Sequence, residues 1–189
     1  MEGLDAFRFF KFFLEHEGLL QQIEVRNFGG VDELDAYLPA LKATPGFSQV
    51  RSVGVVRDAE AEMESAFRAV CRALGSADLP VPRAPETASE GAPKVSVYIL
   101  PDCKRPGMLE TLCLDAFGDD AALPCVQAYF ACLQQRDAPH PNNLDKSRLQ
   151  TLLASRPEPT PYIGRAAERR YFNFDHHVFD RLRAFLQGL

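Results

Sequence analysis

Two short Val-rich runs constrain the fold more than anything else in the chain. Within residues 50–57 the run Val53-Gly54-Val55-Val56 is nearly continuous in apolar residues, and "KVSVYILP" (94–101) is a second strand-like run. A strand reads that way when both of its faces are covered. Between them Met63, Phe67, Val70, Cys71 and Leu74 recur at intervals of three and four, the period of a helix over 59–74. Strand, helix, strand predicts a parallel pair joined by a crossover.

The remaining pattern extends that reading. Leu4 to Glu17 predicts a helix with Phe7, Phe10, Phe13 and Leu14 on one stripe, widened by Phe9 and Phe12. "QIEVRNF" (22–28) predicts a further strand with Ile23 and Val25 on one face. A second helix runs through Leu34, Tyr37, Leu38 and Leu41, with Asp32 as its cap and Pro39 as a kink or stop. Residues 75–93 hold four of the chain's prolines and predict a long, mobile surface loop. Helices are expected over 107–117, 121–135, 144–155, 165–170 and 178–186. The expected fold is α/β, a mostly parallel sheet with helices on both faces. A helical C-terminal extension (118–189) packs on an α/β domain (1–117) into which loop 75–93 is inserted.

Composition excludes several classes. No window of about 18 uninterrupted apolar residues exists, so no membrane-spanning helix is expected. The five cysteines (71, 103, 113, 125, 132) form no CxxC pair. They predict reduced, largely buried thiols in a cytoplasmic protein, not a zinc cluster or a disulfide framework. Residues 1–140 carry 13 Lys/Arg against 21 Asp/Glu, and residues 141–189 carry 8 against 5. An acidic body does not draw nucleic acid by bulk charge, but it suits cations, and the tail offers a local basic patch. There is no GxSxG, Walker A, GxGxxG or HExxH motif.

The first Val-rich run ends in Asp58-Ala59-Glu60. Ligands of open parallel sheets sit at the carboxyl ends of strands, and carboxylates there suit Mg²⁺. The plainer account is that Asp58 caps the helix that follows, with Glu60 at the positive end of its dipole. The chain opens "MEGLDAFRFF", an acid, a glycine and a second acid leading into a helix, which places Glu2 at the same edge.

These features together resemble the Toprim superfamily, in which a Glu-Gly turn and a later Asp-x-Asp bind Mg²⁺. The phrases "GGVDEL", "VRSVGVVRDAE", "ILPD", "GMLETLCL" and "NFDHHVFD" look like a small bacterial and archaeal family of Toprim-like proteins akin to nuclease domains of the OLD type. The resemblance implies Glu2, Asp58 and Glu60 as metal-holding catalytic acids, with Glu60 in place of the second Asp. It adds Glu110, on a helix that in OLD-type relatives carries a glutamate for a second metal. The family's first strand, which precedes the Glu-Gly turn, is missing here, which points to a start upstream of Met1.

Other residues are candidates by position. Asp102 follows the second Val-rich run at the same edge, and Cys103 beside it is a candidate exposed thiol. Lys104 and Arg105 are placed to meet phosphate. Asp5 and Asp32 are explained as helix caps. Arg165, Arg169 and Arg170 are a basic cluster interleaved with Tyr171, Phe172 and Phe174, aromatics better suited to the core. His16, His140 and the adjacent His176-His177 are not spaced to share a ligand. The expected function is Mg²⁺- or Mn²⁺-dependent hydrolysis of DNA or RNA phosphodiesters. A non-catalytic nucleic-acid- or protein-binding module of the same fold is the alternative, and a small nucleotide phosphatase is the third. Substrate, metal count and oligomeric state stay open.

Overall fold

The computed structural model describes residues 3–30 and 33–189. Glu2 and Asp32 therefore lie outside the described residues. Strands β1 (Ser52–Asp58) and β2 (Lys94–Leu100) pair in parallel, in register from Ser52 opposite Lys94 to Asp58 opposite Leu100. Helix α3 (Met63–Ser76) is the crossover and packs against both strands. The chain is α/β, and this pair is the whole sheet among the described residues.

β2 is buried along most of its length although β1 is its one strand neighbour. Its outer edge is closed by irregular chain. Val97 accepts from the Glu86 N–H at 2.8 Å, and Val95 accepts from the Ser89 N–H at 2.8 Å. The Ser89 hydroxyl accepts from the Val95 N–H, also at 2.8 Å. Cys103 then donates its N–H to the Ile99 carbonyl at 2.7 Å, and its sulfur takes the Ile99 N–H at 3.2 Å. A buried edge needs such partners, because unpaired backbone groups away from water are costly. Residues 84–90 thus cover the sheet edge, a correction to the expected mobile loop. Pro85 has no N–H to give a ladder, but the Glu86 and Ser89 amides beside it still bond to β2.

The predicted strand over 22–28 does not form. Exposure does alternate there, with Ile23 and Val25 half buried, but the segment joins no ladder. Glu24 and Arg26 pair with each other on the solvent side at 2.9 Å. Alternation reported half-burial and carried no information on pairing. Pro39 does not end α2 (Leu34–Lys42). It and Asp35, whose carbonyl loses a donor, both face solvent, where water replaces the bond.

The helices α1 (Leu4–His16), α4 (Leu109–Asp115), α5 (Leu123–Gln135), α6 (Leu144–Ala154), α7 (Ile163–Glu168) and α8 (Asp180–Gln187) complete the chain. α1 and α7 cross so closely that a Cβ on Gly164 would sit 2.4 Å from Cβ of Arg8. Phe9 and Phe13 of α1 are fully buried and meet Phe174 edge-on at 5.5 and 5.1 Å. Phe172 and Phe179 join that cluster, so the tail aromatics are core. α8 lays Phe185 against Tyr98 of β2 at 5.2 Å. No helix of the described residues is long and apolar enough to cross a membrane.

Candidate metal site at the carboxyl edge of the sheet

β1 leaves the sheet at Asp58, and the backbone reverses at once. Ala59 still bonds the Leu100 carbonyl at 3.0 Å. Glu60 then takes a left-handed conformation (φ 55°) and exchanges both backbone bonds with Gly107 at 2.9 Å. Gly107 allows this approach. Its φ is 135°, and a Cβ there would lie 2.7 Å from Oγ1 of Thr111. The bridge delivers the N-terminus of α4 to the end of β1, where Asp58 Oδ1 accepts the Leu109 N–H at 2.9 Å. Asp58 is therefore a cap, but of α4 and not of the helix that follows it in sequence. α3 has Glu62 at its N-cap and no side-chain cap bond.

Glu110, the next residue of α4, points into the same neighbourhood. Burial raises its carboxyl pKa most; the negative fields of Asp5 and Glu60 push the same way, and Lys146 opposes them. Beneath it the fully buried Cys113 thiol is held well above its ordinary range, first by burial and then by the fields of Glu110, Asp5, Asp58 and Asp115. Asp58, Glu60, Glu110 and Asp5 thus share one electrostatic neighbourhood. No three His, Cys, Asp or Glu side chains among the described residues are close enough to hold a metal ion together.

The other candidates are placed as follows. Asp5 does not cap α1. Its two oxygens accept the N–H groups of Ile163 and Gly164 at 2.7 and 2.8 Å, capping α7 from α1. Asp102 folds its own turn, accepting from the N–H groups of Lys104 and Arg105 at 3.0 and 3.1 Å and from Arg105 Nε at 3.0 Å. Burial would raise its pKa, but these bonds together hold it below the ordinary value. Arg105 spans Asp102 and Asp115, so its charge is already matched by two carboxylates. Lys104 is exposed. Cys103 is buried, not an exposed thiol, and burial is the main cause that pushes it up to about 12. The basic tail cluster is partly self-neutralised, with Arg165 on Glu168 at 2.6 Å and Arg169 on Glu158 at 2.7 Å. The His176 and His177 rings lie 4.4 Å apart, tilted by 33°.

Sequence reasoning passed over Lys146. It lies in the first turn of α6, where Asn143 caps its N–H at 2.9 Å. Thr111 donates to Asp145 at 2.7 Å and so ties α6 to α4. The local signal was legible: Asn143 at a cap position puts Lys146 three residues into a helix. What was not legible was which helix it would meet.

A family model described as "Protein of unknown function (DUF3226)" matches residues 1–189. The chain belongs to that family. No curated protein and no solved structure matches it.

Proposed function

We propose that the protein has a Toprim-like fold and hydrolyses nucleic-acid phosphodiesters with Mg²⁺ or Mn²⁺. The observation that carries this reading is the position of Asp58, Glu60 and the start of α4 at the carboxyl end of the parallel pair, where Glu60 and Lys146 both act on the Glu110 charge. Topology favours ligand binding at that edge. Asp58, Glu60 and Glu110 offer the carboxylate oxygens a hard cation prefers, but no three acidic side chains among the described residues converge on one point, so in this reading the ion is held by fewer of them and by Glu2. When bound, such an ion supplies positive charge to a phosphodiester. The resemblance adds Glu2, which lies outside the described residues.

The chain's own groups have distinct tasks in this reading. Glu60 is exposed and presents its carboxylate to solvent from a backbone conformation that non-glycine residues rarely adopt. Asp58 holds α4 in place through one oxygen. Glu110, whose carboxyl burial raises above its ordinary range, is suited to hold or pass a proton. Lys146 offers the site a positive charge for phosphate.

The test is divalent-dependent cleavage of DNA and RNA oligonucleotides, run beside a panel of nucleotides that would reveal a phosphatase instead. E60Q and E110Q should each lower the rate by about 100-fold or more while leaving the fold intact. Undiminished cleavage by both variants would refute the assignment. A second reading, a non-catalytic binding module, is favoured by one observation: the carboxylates of Asp58, Asp5 and Asp102 already serve as structural acceptors. Nucleic-acid or protein binding without turnover under any divalent ion would select it.

A further inference from the structure

We propose that α5 is the seam of a homodimer, in which two copies pair this helix antiparallel across a two-fold axis near Ala128. The proposal is independent of the metal site. α5 buries only Val126 and Phe130 against its own chain. Tyr129 is 52% exposed, and Cys125 and Cys132 are exposed on the same side. Positions 125, 129 and 132 fall one and two turns apart and make a stripe, with Ala128 beside it. An open groove of about 430 Å³ continues this surface onto α6, with Tyr129, Leu133 and Pro139 on one side and the polar Ser147, Gln150 and Thr151 of α6 on the other.

Charge says what covers it. A quarter of the chain is Asp, Glu, Lys or Arg, yet residues 121–135 contain none. A solvated helix face normally carries charge. At a two-fold axis a side chain meets its own copy, so a charge placed there meets a like charge, whereas away from the axis residue i of one copy meets residue j of the other. A neutral centre about Ala128 therefore suits self-pairing, the more so in a chain of net charge −5, while opposite charges at the two ends can meet across it.

The ends of the helix then fix the direction. Asp119 lies just before α5 and Arg136 just after it, both exposed and neither with an ionic partner among the described residues. Antiparallel pairing sets Asp119 of one copy beside Arg136 of the other, twice over, and opposes the helix dipoles. The midpoint of 119 and 136 falls within a residue of the midpoint of 125 and 132. One register therefore satisfies both, with Cys125 of each copy facing Cys132 of the other. Thirteen helical residues span about 20 Å. A standard interface needs about 800 Å² per partner, so the groove and the α6 surface must share in the contact.

Sedimentation equilibrium of the full chain should show a dimer. Ala128→Arg places two like charges at the axis and should give a folded monomer whose cooperative melt no longer depends on protein concentration. D119R should weaken the dimer, and the D119R/R136D double variant should restore it. In a Cys71→Ser background, a short bismaleimide should join the wild-type copies. C125S and C132S should each lose that product, and a mixture of the two should regain it. A wild-type chain that stays monomeric up to its solubility limit overturns the proposal. Cross-linking of C132S through Cys125 alone overturns the antiparallel register.

Discussion

Glu110 and Glu60 belong to one neighbourhood but act differently on stability. Folding raises the Glu110 carboxyl above its ordinary 4.5, chiefly by burial. The native state then binds its proton more tightly than the unfolded chain does. Its contribution is most favourable below that ordinary value and declines as pH climbs through the raised native value. E110Q should remove the decline. Urea denaturation should find the variant as stable as wild type in acid and more stable at neutral pH. Saturating Mg²⁺ should narrow the neutral-pH difference if a cation binds beside the wild-type carboxylate. Glu60 spends backbone energy to stand where it does, since a left-handed residue with a Cβ costs about 1–2 kcal/mol. E60G should therefore match or exceed wild-type stability by up to about 1 kcal/mol in chemical denaturation while losing any divalent-ion response. A fall in stability would mean that the Glu60 side chain is structural. Glu60 was legible in the sequence, because a strand end is a local pattern, whereas Glu110 was a candidate through the family resemblance. The partner of Asp58 was not, because Leu109 is distant in sequence and reaches it only through the bridge from Glu60 to Gly107.

At the scale of elements, the parallel pair was readable from its Val-rich runs, but burial on both faces holds for β2 alone: β1 buries only Val55 and Val56, and Gly54 is exposed. The segment over 22–28 carries a two-residue alternation without such a run, and it forms no ladder. The reverse error fell on residues 84–90. Pro, Ser and Glu read as solvent loop, yet their backbone donates to Val95 and Val97. Ser89 is the pivot, since it is buried and its hydroxyl is the acceptor for the Val95 N–H. Ser89→Ala leaves that N–H buried without a partner, a cost of about 1–3 kcal/mol. Denaturant titration should show that loss, and hydrogen exchange should show faster opening at Val95 than at the β1-facing amides of β2. A variant as stable as wild type would mean that water reaches this edge. Arg181 of α8 reinforces the same strap, gripping Glu86 with Nε at 2.7 and 2.9 Å from its two oxygens.

For the whole molecule, the sequence divides at about residue 117 into an α/β part and a helical tail, and the core ignores that line. Phe9 and Phe13 are sealed by Phe172, Phe174 and Phe179. The fully buried Tyr98 is covered by Phe185, and Glu17 is matched by Arg183, whose Nε lies 2.9 Å from both of its oxygens. Asp5 and Gly164 make the join between α1 and α7 a fitted one, with a helix cap crossing it. A fragment of residues 1–117 would expose these rings together. Each large apolar side chain brought from core to water costs about 1.5–3 kcal/mol, and whole domains are stable by only about 5–15 kcal/mol. Losing the cover of Phe9, Phe13 and Tyr98 alone uses most of that margin. The fragment should therefore show no cooperative unfolding transition and should bind a hydrophobic dye. Adding residues 118–189 in trans should restore a transition if the tail completes the core. A fragment 1–117 that melts cooperatively by itself would show that the tail is an appendage and that the aromatic seam contributes little.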